Sequence, residues 1–345
     1  SACSPEGVFA LDSSYWDGSR MVSEESTTGS AATCLESLEG SPSTSPRTEP
    51  IDPRAASQPT LRAGVCSLVG RKADHRDSSN RGTSLILPLG EGRMLVGVFD
   101  GHGPYGRRVA RLARESFSCW APVLIPEAPE PLLEDQASFA LSRLFELTQA
   151  EIASAEDSKG RQIAFFSGTT GAVALVDVVA GVFHCAHVGD SAIAVSHGGK
   201  VLSRTEDHTV DEAAEALVRQ AGGEVQTFTV GNTSARRVCV NGKKYPGLAI
   251  SHVLGSLVAQ RLGVLATPDV RVGIPLDQGQ NLILATNGVW DMLPADEAAH
   301  QIELVYDVQA AAQELVQSVR SRLPTVGNTD DITAVIVRIN SDVHL

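Results

Sequence analysis

Hydrophobic residues in this chain are grouped in two ways, and each predicts its own kind of element. Short apolar runs closed by glycine, asparagine or aspartate read as strands; longer stretches with apolar residues three and four apart read as helices. The run Met94-Leu95-Val96-Gly97-Val98-Phe99 follows Gly92 and ends in Asp100-Gly101-His102-Gly103-Pro104, so it predicts a buried strand that turns at a carboxylate. With Thr83 to Leu89 before it and Gly90-Glu91-Gly92 between, it predicts an antiparallel pair. Further strands are predicted at 171–176, 182–188, 192–195, 281–286 and 332–339. Helices are predicted over 105–120, 133–155, 209–220 and 307–323. In the second, Phe139, Leu144, Phe145, Leu147 and Ile152 roughly share a face; in the third, Thr209 and Glu212 form a capping box. Residues 226–247 are polar and without period, which predicts a surface flap or a loop. Strands in series with long helices between groups of them fit an α+β layered domain, not a doubly wound one.

The first part of the chain breaks the pattern. From about Ser23 to Thr60 it is dominated by Ser, Thr, Pro and Gly, too poor in apolar residues to offset the entropy of ordering, so residues 1–60 are expected to be largely flexible. Val8-Phe9-Ala10-Leu11 and Tyr15-Trp16 form a small apolar island within it. Ser41-Pro42 and Ser45-Pro46 have the form of phosphorylation sites, a form common in such tracts. Over all 345 residues the net charge is -13, and no cluster of Lys and Arg offers a phosphate-backbone footprint, so nucleic acid is not an expected partner. No apolar run has membrane-spanning length. Six scattered cysteines without a C-x-x-C pair suit reduced thiols and an intracellular location, cytoplasmic or nuclear.

Candidate chemistry sits at predicted strand ends. Asp100, Asp190, Asn287 and Asp330 each close or open a strand, and Asp77 in His75-Arg76-Asp77 is a fifth oxygen donor. Glycines beside His102 let the backbone approach a ligand, and the Gly101 carbonyl adds a hard oxygen next to Asp100. Carboxylates gathered this way repel one another unless cations neutralise them, and two divalent ions such as Mg2+ or Mn2+ suit an all-oxygen donor set. A two-metal site suits phosphoryl transfer to water, with His102 placed to protonate the leaving oxygen. Two plainer readings stay open: Asp100 caps a helix that begins near Pro104, or Gly189-Asp190-Ser191 carries a nucleophilic serine. The second lacks an oriented histidine and acid at a strand end. His184, His187 and His208 show no metal-ligand spacing and are expected to pack.

The motifs Val98-Phe99-Asp100-Gly101-His102-Gly103, Ser167-Gly168-Thr169-Thr170, His187-Val188-Gly189-Asp190-Ser191, Asp207-His208, Ala221-Gly222-Gly223, Gly247-Leu248-Ala249-Ile250-Ser251, Ala285-Thr286-Asn287-Gly288-Val289-Trp290-Asp291 and Asp330-Asp331 occur in one order. In that order the chain, from about Gly64 to Ile339, resembles the type 2C family of metal-dependent protein phosphatases. The resemblance implies a central antiparallel β-sandwich flanked by helices on both sides, over a catalytic domain spanning 61–345. It implies hydrolysis of phosphoserine and phosphothreonine in a phosphoprotein by a metal-bridging hydroxide. Carried over by position, Asp100 would bridge two metals, Gly101 would offer its carbonyl to the second, Asp330 and Asn287 would serve the first, and Asp190 a looser additional one. His102 would be the general acid, Asp77 would stand behind the metal pair, and Lys72 would hold the substrate phosphate. A monomer is expected.

Departures from the family pattern keep a second function open. Asn287 stands where the family has a carboxylate, so a neutral amide coordinates without neutralising and first-metal affinity is expected to be weakened. Arg76 stands where many relatives have an acid; a guanidinium about 5 Å from a cation at an effective dielectric of 20 would be repelled by roughly 3 kcal/mol. Ala192, His252 and Ser256 replace Arg, Arg and Asp of the pattern. The alternative is a pseudophosphatase that binds phosphoproteins or regulates without turnover.

Overall fold

The computed structural model describes residues 60–70, 80–90, 92–127, 130–230, 233–324 and 329–340. The segment expected to be flexible, the apolar island within it, and Lys72, Arg76 and Asp77 lie outside the described residues. In chain order the strands are β1 (Thr60–Leu68), β2 (Gly82–Pro88), β3 (Arg93–His102), β4 (Gly168–Thr169), β5 (Gly171–Asp177), β6 (Val182–Val188), β7 (Ala192–His197), β8 (Lys200–Arg204), β9 (Gly223–Val230), β10 (Thr233–Val240), β11 (Pro246–Leu248), β12 (Leu254–Gly255), β13 (Asp269–Pro275), β14 (Asn281–Ala285) and β15 (Ile332–Asn340). The helices are α1 (Gly106–Leu124), α2 (Glu134–Ser154), α3 (Glu212–Gln220), α4 (Leu257–Gln260), α5 (Asn287–Trp290), α6 (Ala295–Glu303) and α7 (Val308–Arg322).

Two sheets stack face to face. One has the order β1-β15-β14-β7-β8; the other runs β12-β4-β3-β5-β6-β13 with β2 also on β3, and the ladders of both are antiparallel. Side chains alternate across a strand, so β3 sends Val96 and Val98 into the intersheet core and Leu95 and Phe99 to the opposite face. Val96, Val98, Ala172, Ala174 and Val176 of one sheet meet Ile193, Leu282, Leu284, Val335 and Val337 of the other. On the outer face of the sheet that holds β3, the rings of Phe99, Phe117 and Phe145 pack at 5.3 and 5.1 Å, tilted and edge to face, against α1 and α2. Each fully buried Phe contributes about 2–3 kcal/mol by area. Helices α6 and α7 cover the other sheet through Ala298, Ile302, Leu315 and Val319. This is the helix-flanked sandwich that the resemblance implies.

Four local expectations are corrected. Residues 226–247 are not irregular: β9, β10 and β11 form a third, small antiparallel sheet. Its strands are polar because only Val225, Val238, Val240 and Leu248 reach the small core beneath α3. Strand β3 does not turn at Asp100 but runs on to His102, pairing with Gly168 and Thr169. Asp211, not Thr209, caps α3, its side chain accepting the Ala214 N–H at 2.8 Å. Phe139 is exposed, because the buried stripe of α2 runs through Ala137, Ala140, Leu141, Leu144, Phe145, Thr148 and Ile152.

Candidate active site

The cavity opens at one end of the sandwich, with the small third sheet adding part of its wall. Strand β3 arrives there with Asp100, Gly101 and His102. A Cβ on Gly101 would lie 2.2 Å from the Gly106 carbonyl oxygen, so only glycine lets α1 start this close to the strand tip. Because α1 begins at Tyr105 without any side-chain cap, Asp100 is not a helix cap. Thr170 holds its backbone instead. The Thr170 N–H donates to the Asp100 carbonyl at 2.9 Å, and the Asp100 N–H donates to Thr170 Oγ1 at 3.1 Å. Thr170 Oγ1 also shares a proton with Ser191 Oγ at 2.6 Å. Ser191 is fully buried in that contact, which removes it as a nucleophile.

Ser191 follows the β6–β7 turn, where Gly189 adopts φ +92°. His208 clamps this turn twice: its N–H donates to the Gly189 carbonyl at 3.0 Å, and its Nδ1 accepts the Gly189 N–H at 3.1 Å. Asp190 is thereby presented to the cavity. From the facing side, α5 opens just after β14 with Asn287, whose Nδ2 donates to Asp190 Oδ2 at 3.5 Å. Gly288 is required beside it, since a Cβ there would meet the Asp331 carbonyl at 2.3 Å. The Asp331 carboxylate accepts the backbone N–H groups of Gly70 and Arg81, each at 2.7 Å. That fixes the entry to β15 and leaves Asp330 on the cavity.

These groups surround a space of about 270 Å³, with Asp100, Gly101, His102, Asp190, Asn287 and Asp330 all on its wall. Burial pushes the Asp190 carboxyl up to about 6, and Asp207, Asp291 and Asp330 add to the shift. Burial likewise holds the His102 imidazole down at about 4, with Arg81 adding to it, so the ring is neutral at neutral pH. Two polar atoms in the wall are shut from solvent without a hydrogen-bond partner, His102 Nε2 and Asn287 Oδ1. An orphaned amide oxygen beside a buried carboxyl whose affinity for protons is raised by burial and by its acidic neighbours fits a hard divalent cation, Mg2+ or Mn2+. Asp100, the Gly101 carbonyl, Asp190, Asn287 and Asp330 would hold it.

The site residues expected from the sequence that lie within the described part, Asp100, Gly101, His102, Asp190, Asn287 and Asp330, all line this cavity, and three residues there were not expected. Arg81 and Arg237 also line the cavity, and Arg237 belongs to the sheet that was read as irregular. Thr170 lay inside a quoted motif, but nothing in its spacing showed that it ties two strands together. A separate cluster places donor atoms of His187, His208 and Asp269 within 4.8 Å of one another. It does not suit a shared metal. The His187 and His208 rings lie parallel within 3° at 4.4 Å, so no point is in the plane of both, and Nδ1 of His208 is already an acceptor, which leaves its proton on Nε2. With His252 stacked at 3.9 Å, the three imidazoles pack as neutral rings.

A helix-flanked antiparallel sandwich with an oxygen-lined cavity and an imidazole at one end has the donor set of a metal-dependent hydrolase. The chain belongs to the protein phosphatase 2C family, whose profile matches residues 70–332. It is 31% identical over 302 residues to probable protein phosphatase 2C 72 of Arabidopsis thaliana, covering 80% of this chain and 85% of that one. Probable protein phosphatase 2C 52 of rice is 27% identical over 82% of this chain, which spans 51% of that relative. Among solved structures, a serine-threonine phosphatase 2C from Toxoplasma gondii shares the fold at a TM-score of 0.62 and 21% identity, over 83% of this chain and 98% of that one. The domain is thus a protein phosphatase domain. Among the described residues, no helix is long and apolar enough to cross a membrane.

Proposed function

We propose that the domain is a Mg2+- or Mn2+-dependent phosphoprotein phosphatase acting on phosphoserine and phosphothreonine, with its first-ion affinity weakened by Asn287. The observation that carries this reading is the convergence of Asp100, Asp190, Asp330 and the orphaned Asn287 oxygen on the cavity that His102 also lines. When bound, divalent ions supply Lewis-acid activation of water and of the phosphoryl group and neutralise the carboxylates. His102, on the same cavity wall, would be the proton donor to the leaving oxygen. An arriving phosphate dianion favours the imidazolium and so raises the proton affinity that burial holds down. Arg81 and Arg237 offer positive charge to the phosphate from the cavity wall. Lys72, expected in that role, lies outside the described residues.

The test is calorimetric titration of Mn2+ into chelator-treated protein, with hydrolysis of a phosphothreonine peptide followed across the titration. Hydrolysis rises with occupancy, disappears with chelator, and falls at least about 100-fold in Asp100→Ala, which removes a ligand and a charge at the reacting centre. Neither binding nor turnover would favour the second reading, a pseudophosphatase. One contact supports it: the Asn287 amide donates to Asp190, giving that carboxylate an internal partner where a cation is expected.

A further inference from the structure

Next to the cavity mouth the chain leaves two large aromatic side chains in water. Phe166 is 48% and Tyr245 47% exposed. Their rings meet edge to face at 6.2 Å and 78°, and Phe166 meets Phe165 the same way at 4.7 Å and 87°. The Arg261 guanidinium lies 5.4 Å over the Phe165 ring. Single exposed apolar residues are ordinary on a protein surface, but a ridge of rings brought together from separate segments is not.

Both segments run directly into the catalytic cavity. Phe166 is two residues before Gly168, where a Cβ would touch His102 Nε2 at 2.9 Å, and the Phe166 carbonyl would lie 2.2 Å from a Cβ on Gly103. Tyr245 is three residues before Leu248, which lines the cavity. An extended peptide advances about 3.3 Å per residue, so a side chain one or two positions from a phosphoresidue seated in the cavity reaches this ridge. The electrostatics agree. On a chain of net charge -13, the turn that carries Tyr245 presents exposed Lys243 and Lys244, and Arg261 is exposed beside Phe165. Among the described residues no ion pair engages these three cations, whereas Arg204, Arg219, Arg236 and Arg322 are paired with carboxylates.

We propose that the Phe166–Tyr245 ridge is a substrate subsite, seating an aromatic or branched aliphatic side chain within about two residues of the phosphoresidue in an acidic peptide. The placement of the phosphate rests on the phosphatase reading above. Apolar area on the rings selects the side chain, and the unpaired cations around them favour an acidic backbone partner.

The test compares two phosphothreonine peptides of equal length and acidic composition, one with Leu and one with Ala two residues from the phosphate. The full chain is assayed with Mn2+ for kcat/KM and by fluorescence anisotropy for Kd, with p-nitrophenyl phosphate as a substrate that has no flank. The Leu peptide is favoured about tenfold, through Kd and KM, and the ratio collapses to within twofold in Phe166→Ser/Tyr245→Ser. Equal affinities in the parent chain overturn the subsite without any variant, and so does a ratio that survives the double substitution. A chain that dimerises through the ridge, with dimers dispersed by the same substitutions, overturns it as well. Preferential binding of the Leu peptide with no hydrolysis of p-nitrophenyl phosphate leaves the subsite standing and removes the phosphatase reading.

Discussion

At Asn287 one atom decides how the cavity carries charge. Its Nδ2 stabilises the Asp190 carboxylate at 3.5 Å while its Oδ1 is left without a donor, so the amide relieves repulsion in the metal-free protein and gives up charge in the metal-bound one. Asn287→Asp reverses both effects. Mn2+ affinity rises about tenfold, as expected for one added charge at a partly buried site, and the metal-free protein melts lower than the parent. Calorimetric titration and a chelated melting curve check the two halves, and no gain in affinity would mean that this position does not limit the site. His208 acts at the same scale through the backbone. Because its Nδ1 accepts the Gly189 N–H, His208→Leu leaves a donor without an acceptor beside the Asp190 turn and lowers stability by about 1–3 kcal/mol, measurable by urea unfolding.

Among the elements, α6 and β15 show how much rests on one buried cation. Arg338 projects from β15 beneath the end of α6, donating Nε to Asn281 Oδ1 at 2.6 Å, Nη2 to the Ile302 carbonyl at 2.9 Å, and Nη1 to the carbonyls of Val305 and Tyr306 at 2.8 and 2.7 Å. The Ile302 carbonyl lies in the last turn of α6 and those of Val305 and Tyr306 just past its end, where carbonyls lack the regular intrahelical partner. Arg338→Met therefore costs about 3 kcal/mol, read as a drop in the midpoint of denaturant unfolding. None of this is visible in the run Ile332 to Ile339, which reads simply as a strand. What was legible there, and in 94–99, 171–176 and 182–188, was period and closure, because those strands are buried and their apolar runs are undiluted. The same reasoning fails at 226–247, where the sheet has water on one side and a small core on the other. It also passes over β8, half exposed, and β13, an edge strand beside β6 whose register shifts after Arg271. The strand-end ligands were readable because glycine and aspartate mark a strand's end; Arg237 was not, because its strand was not.

For the whole molecule, the cavity couples pH to cation binding. The folded-state pKa of Asp190, about 6, lies above its ordinary 3.8, so between those values the folded chain holds more protons than the unfolded one. Stability contributed by this carboxyl accordingly falls as pH rises from about 4 to about 6, by up to about 3 kcal/mol, and a bound cation cancels the loss. The difference in melting temperature between Mn2+-saturated and chelated protein therefore widens across that range. A gap that stays constant would show that Asp190 does not face the ion.

The contact of Thr170 Oγ1 with Ser191 Oγ at 2.6 Å bears on which ion that is. It joins the strand tip carrying Asp100 to the turn carrying Asp190, through which the chain passes from the sheet of β3 and β6 to the sheet of β7. These two hydroxyls, together with the His208 clamp on the Gly189 turn, hold the spacing of the two carboxylates. A stiff gap favours an ion of one radius: Mg2+ and Mn2+ are held at shorter oxygen distances than Ca2+, which prefers a looser shell. For the cation of the proposed function, the stitch between Thr170 and Ser191 would make the rim of the sandwich a gauge of ionic size.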